Sequence, residues 1–319
     1  MSEQGELWSA DPDGWARGAE SRLVALYEAV LELLAPLPGV RLLDAGCGAG
    51  LFASLAAEQG AEVHGLDAAP ALVEYARRRV PGAAEFVVGD IGSLPFDDQD
   101  FDVVVALNSL LYASDPPRAL AELARVTTRY GRVVLTWGCG PEQATCAELL
   151  DALRTAIPAG ESTPHQTSLT LTDDGQRSAA MAIAGLDEVE RRDIEFAWTF
   201  RDLDDAVGAQ LPAGPVVDIS RQVGIDEVRR ALGEFFATRL RPDGSVLMNV
   251  IFRCVVAKPR IKRPAAGAGR PPDEPVDLSS ASTPTPLVSR RPGSRARHCR
   301  PRWPETQSRT ADRPEPARP

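Results

Sequence analysis

Apolar positions in the first 260 residues follow two alternating rhythms. From 22 to 34 they recur at Leu23, Tyr27, Val30, Leu31 and Leu34, the spacing of a helix with one buried face. Pro36, Pro38 and Gly39 end that helix. Residues 1–15 show no clear period. Short apolar runs then predict strands at 40–45, 61–66, 85–88, 101–107 and 132–137. Helical patterns at 51–59, 70–79 and 115–127 separate them. Gly60 closes the first of these helices, Pro70 sits in the first turn of the second, and Asp115 N-caps the third. The run FDVVVAL at 101–107 is almost continuously apolar, so its strand belongs in the sheet centre, covered on both faces. This repetition predicts an α/β fold with a doubly wound, mostly parallel sheet.

After Gly138 the rhythm changes. Helices are expected at 142–156, 173–184, 203–210 and 226–240, the last with the stripe Val228, Ala231, Leu232, Phe235 and Phe236. Strands are expected at 189–200 and 245–257, an antiparallel hairpin added to one sheet edge. From 259 onward periodicity stops. The last 61 residues hold 13 of the 27 prolines and carry +7, while the preceding 258 carry −17, so the overall −10 describes neither part. A chain so poor in large apolar residues cannot offset its ordering entropy, and 260–319 is expected to be a disordered basic tail. The acidic body argues against nucleic acid as a partner, since binding phosphates means neutralising them. No stretch has the roughly 18 apolar residues of a membrane span, and the polar, acidic start does not read as a signal peptide. The five cysteines are scattered without a CxxC pair, as in reduced cytoplasmic proteins.

Chemistry concentrates at the strand ends. The first strand runs into Asp44-Ala45-Gly46-Cys47-Gly48-Ala49-Gly50, where glycines permit a tight turn and close approach of a ligand. The helix that follows aims its N-terminal N–H groups at the same crevice, the usual ligand position in an open α/β sheet. A dinucleotide fingerprint would require glycine where this chain has Leu51, which argues against a nicotinamide oxidoreductase. Asp67 ends the second strand, where a carboxylate can accept both hydroxyls of a ribose. Asp90 ends the third, within reach of an adenine amino group. Together they outline an adenosine-shaped cleft. Cys47, without a partner for metal or nucleophilic chemistry, reads as a small filler of the loop.

The ordered segments VRLLDAGCGAG, HGLDAAP, FVVGDIGSLPF, FDVVVALNSLLY and ARVTTRYGRVVLTWG, spanning roughly 40–138, resemble the motifs of class I S-adenosylmethionine-dependent methyltransferases. More weakly, the segments up to Pro259 resemble the small-molecule branch that includes ubiquinone/menaquinone C-methyltransferases. The resemblance implies a Rossmann-like methyltransferase fold of about seven strands and S-adenosyl-L-methionine as cofactor. It implies that Gly46, Gly48 and Gly50 line the methionine moiety, with Cys47 between them, and that Asp44 orients the loop and the amino group. It puts Asp67, with Ala68 beside it, at the ribose, Asp90 and Ile91 at the adenine, and Asn108 between the methionine and the acceptor. No general base is evident: His165, in the polar stretch GESTPHQTS, and Tyr112 are the candidates, while Asp115 reads better as a helix cap. The expected organisation is a helical segment 1–39 contributing to the acceptor pocket, a methyltransferase domain 40–259 with an acceptor-side insertion at 139–245, and the tail. Trp8, Trp15, Trp137 and Trp198 are the aromatics that either line that pocket or pack in the core. A small-molecule acceptor is expected. A methyltransferase of protein or nucleic acid, and a binding module without catalysis, are the alternatives.

Overall fold

The computed structural model describes residues 2–82, 85–138, 145–157 and 173–260. The expected tail and the stretch holding His165 lie outside these. Seven strands form one sheet: β1 (Arg41–Ala45), β2 (Glu62–Asp67), β3 (Phe86–Val88), β4 (Phe101–Leu107), β5 (Thr127–Gly138), β6 (Leu186–Phe200) and β7 (Val246–Pro259), in the order β3-β2-β1-β4-β5-β7-β6. The first five are parallel. β7 runs antiparallel between β5 and β6, so the expected reversed pair is present. It is no tight hairpin, because three helices connect its strands.

Eleven helices are described: α1 (Glu3–Trp8), α2 (Pro12–Arg17), α3 (Val24–Leu34), α4 (Leu51–Glu58), α5 (Pro70–Arg79), α6 (Pro116–Val126), α7 (Thr145–Arg154), α8 (Asp174–Ile183), α9 (Leu203–Gln210), α10 (Gly214–Val223) and α11 (Ile225–Ala237). Alternation in the central strands explains the layers. Leu43, Ala45, Val104, Ala106, Val133 and Leu135 join one buried cluster with Leu120 and Leu123 of α6 and Met181 of α8. Leu42, Val103, Val105 and Val134 point the other way and are equally buried. Both faces are therefore covered, as the apolar run of β4 requires. Asp115 does cap α6, its carboxylate accepting from the Arg118 N–H at 3.1 Å.

Four elements depart from the sequence reading. The unpatterned N-terminus holds α1 and α2, each six residues long and so too short to display a 3.6-residue period. Their signals are caps: Ser2 accepts from Gly5 N–H, and Asp11 from Gly14 N–H with Pro12 following. Helix α10 was hidden because its stretch mixes glycine, proline and valines, which favour other structures. Strand β5 starts five residues earlier than 132, because a register shift between Phe101 and Val103 lets Thr127 pair with β4 as well.

Leu123 is fully buried between α6 and the sheet. Leu123→Ala should lower unfolding stability by about 2–5 kcal/mol, read as a reduced urea midpoint with an unchanged slope.

Candidate active site

The site lies at the C-terminal ends of the parallel strands, where a cavity of about 850 Å³ opens. Gly46, Cys47, Gly48, Asp67, Ala68, Asp90, Ile91, Asn108 and Tyr112 all line it. The glycine loop is shaped from below by β2, whose Leu66 carbonyl accepts from the N–H groups of Gly46 (2.6 Å) and Cys47 (3.0 Å). Gly46 has φ 89°, and a Cβ there would fall 2.1 Å from that of Ser109. Ser109 in turn donates to the Ala45 carbonyl at 2.6 Å. No larger residue fits this crossing of β1 and the β4 end. Gly50, also at positive φ, precedes α4 as its N-cap.

Two carboxylates hold the rest of the loop. Asp67 accepts from Gly48 N–H and from Ala69 N–H, both at 2.9 Å. Glu20 reaches in from the segment between α2 and α3 and accepts from Ala49 N–H at 2.9 Å. Arg79, the last residue of α5, donates to Glu20 at 2.6 Å and to the Ala49 carbonyl at 3.0 Å. The Glu20–Arg79 clamp was not visible in the sequence, since no motif spacing connects partners 59 positions apart. A buried acid in a helical register is the only trace it leaves.

Asp44 lies behind the loop, buried, with Oδ2 lacking any hydrogen-bond partner among the described residues. Burial first, and then the charges of Asp67 and Glu20, push its carboxyl well above the ordinary range. Burial raises Asp67 against its backbone donors, and raises Glu20 against the charge and hydrogen bond of Arg79. The Cys47 thiol is raised well above its ordinary value, chiefly by burial, so it is no thiolate at neutral pH.

The remaining residues divide. Asp90 is exposed and accepts from Gly92 N–H at 2.7 Å, while Ile91 beside it is buried. Asn108 adopts φ 61°, unusual for a residue other than glycine. Its N–H donates to the Thr136 carbonyl and its side-chain oxygen accepts from the Thr136 hydroxyl, tying β4 to β5. Trp8 meets Trp15 edge-on at 4.8 Å and Tyr112 at 5.2 Å, and both tryptophans line the cavity, as does Trp198. Trp137 does not: it is buried in the core with the Arg177 guanidinium 5.3 Å from its ring.

The raised carboxyls give a pH signature. A carboxyl whose folded value exceeds its unfolded one favours the folded state fully below the unfolded value, near 4, and loses that contribution as pH rises through the folded value. Asp44→Asn removes the buried charge. Its melting temperature without ligand should exceed that of the wild type at pH 7–8, and the gap should close as pH falls towards 4. Calorimetric scans across that range measure it.

Comparison with known proteins agrees with this geometry. The Methyltransferase domain family model matches residues 43–135. Methyltransferase GfsG of Streptomyces halstedii is 30% identical over 218 residues, covering 66% of this chain and 74% of that protein. A malonyl-[acyl-carrier protein] O-methyltransferase of Serratia marcescens is 40% identical over 124 residues, 38% of this chain and 48% of its own length. A demethylmenaquinone methyltransferase of Clavibacter sepedonicus is 38% identical over 109 residues, 34% of this chain and 44% of its own length. Against these last two, the chain spans about half the length of the relative or less. In fold, it resembles a chain of the Haloferax volcanii complex between the Trm112 methyltransferase activator and a methyltransferase, with TM-score 0.52 and 22% identity over 82% of this chain and 98% of that one. With the glycine loop at the end of β1, acidic residues at the ends of β2 and β3, and a relative matched over most of its length, the chain belongs to the class I S-adenosylmethionine-dependent methyltransferases.

Proposed function

We propose that this chain transfers the methyl group of S-adenosylmethionine to a small-molecule acceptor. One observation carries the reading: a single cavity reaches from the glycine loop to apolar walls on β6 and β7. Two features of the loop fit the cofactor. Behind the loop, and outside the cavity lining itself, Asp44 has a buried carboxyl oxygen without a partner among the described residues, the kind of atom that a nearby cationic group satisfies. Gly48 leaves an open cradle, where even a Cβ would come within 3.2 Å of Glu20 and 3.4 Å of the Trp15 indole nitrogen.

In this reading Gly46, Cys47, Gly48 and Gly50 hold the methionine moiety and Asp44 its amino group. Asp67, with Ala68, holds the ribose, and Asp90 and Ile91 the adenine. Asn108 stands between the cofactor and the acceptor. When bound, the cofactor supplies a methyl group already activated on a sulfonium. The chain's task is then to orient the acceptor in line with that group and to exclude water. Such positioning can lower a barrier by about 7–11 kcal/mol. The aromatic roof of Trp8 and Trp15 and the clamped loop provide the rigidity it requires. Where the acceptor must lose a proton, Tyr112 is the candidate base that lines the cavity. The acidic body favours a small molecule over nucleic acid.

Isothermal titration with S-adenosylhomocysteine tests the reading. The wild type should bind, and Asp67→Ala should weaken binding by roughly 100-fold, the equivalent of about 3 kcal/mol for lost charge-assisted hydrogen bonds. Its melt should stay cooperative. An unchanged affinity would refute the role given to Asp67.

A further inference from the structure

The cavity is much longer than the glycine loop needs. Asp67 ends β2 and Trp198 lies on β6, five strand spacings apart, or about 24 Å at roughly 4.8 Å per spacing. The far half of this one cavity is formed by α7, the α9–α10 junction, β6 and β7. Its walls include Leu149, Leu150, Val216 and Phe252. Asp151 and Arg154 there pair at 2.7 Å, and Glu3, which lines the cavity from α1, the helix packed on α10, is also partnered. Among the described residues, this half therefore offers a largely apolar surface on which no charged side chain is left without a partner.

Two polar atoms interrupt that surface. Trp198 is 6% exposed and Gln210 is 4% exposed. The Trp198 indole nitrogen and the Gln210 side-chain nitrogen are both buried without a hydrogen-bond partner. Both residues line the cavity. An indole N–H can only donate, and an amide NH₂ likewise. Buried donors are nearly always satisfied in folded proteins, so two unpartnered donors in residues of one cavity wall are groups that an acceptor atom of a ligand would satisfy.

Building on the methyltransferase reading, we infer that the methyl acceptor is a neutral, largely apolar molecule bearing a carbonyl or hydroxyl oxygen that Trp198 and Gln210 receive by hydrogen bonding. Its apolar body contacts Phe252, Val216 and the α7 leucines. Anionic and cationic relatives are disfavoured, because Asp151, Arg154 and Glu3 are already partnered and leave no free countercharge to replace their hydration. Trp198 and Gln210 are thus specificity residues on the acceptor side, apart from the loop that holds the cofactor.

The test uses four naphthalene probes and the full chain saturated with S-adenosylhomocysteine, with affinities read by competition-based ligand NMR. The expected order places 2-naphthol above naphthalene, with 2-naphthoate and 2-naphthylmethylammonium weakest. Trp198→Phe and Gln210→Met should each weaken 2-naphthol about five- to tenfold, the size of one lost hydrogen bond, while leaving naphthalene unchanged. Either variant alone suffices if the other fails to fold. Equal affinity for naphthol and naphthalene, tighter binding of a charged probe, no binding of any probe, or no effect in a folded variant would overturn the inference. Titration of S-adenosylhomocysteine itself separates the two levels: its failure to bind the wild type would remove the methyltransferase reading, whereas its unchanged binding to both variants is expected here.

Discussion

Two hydrogen bonds from consecutive backbone N–H groups govern this molecule: Gly48 to Asp67 and Ala49 to Glu20. A glycine loop is conformationally free by composition and loses more entropy on ordering than any other segment. Here two carboxylates, the half-buried Asp67 of β2 and the buried Glu20 of the segment before α3, fix it. Because Glu20 belongs to the N-terminal segment, the same bond that shapes the loop also seats α1 and α2 around the cavity mouth. Arg79 completes the arrangement by bonding both Glu20 and the Ala49 carbonyl, so α5 joins the same network. Loop, roof and neighbouring helix thus form one mechanical unit.

That unit is electrostatically unfavourable until it is filled. Glu20, Asp44 and Asp67 are gathered in a low-dielectric region with one arginine among them, and burial pushes all three carboxyls upward. A close-packed protein selected for stability alone would not retain such a cluster. Removing an unpaired buried charge usually stabilises, and sites that bind or react are where such strain persists. The positive φ of Asn108 belongs with it. The residue turns the chain sharply at the end of β4, while its bonds to Thr136 hold that turn against β5.

What the sequence revealed depended on the range of the physics involved. The parallel core was legible because each strand declares itself locally: FDVVVAL can only be a doubly covered strand, and Pro70 and Asp115 mark helix starts within a few residues. The glycine loop, Asp67 and Asp90 were legible because strand ends converge wherever strands are parallel. The clamp of Glu20 and Arg79 was not, since it arises from folding alone and neither residue carries a local signature. Trp137 and Trp198 make the same point. Both are tryptophans in strands, yet one is covered by Arg177 and the other faces the cavity, a difference set by which helices lie above them. Helices α1 and α2 escaped detection through shortness rather than ambiguity.

The reversed strand β7 means that different parts of the chain build the two halves of the cavity. Placing it antiparallel between β5 and β6 means that the chain must leave β6, cross the strand ends and return. The connection that makes this crossing contains α9, α10 and α11, and it brings Gln210 and Val216 to the far half of the cavity. In the proposed reading, the cofactor half is built mainly from β1 to β4, within the 43–135 stretch that the family model matches, with Glu20 and Trp15 added from the N-terminal segment. The acceptor half comes from α7 and from residues beyond 186, outside that stretch. In that reading, a change of acceptor calls for new side chains on α7, β6, β7 and the helices that connect those two strands, while the clamped loop stays as it is.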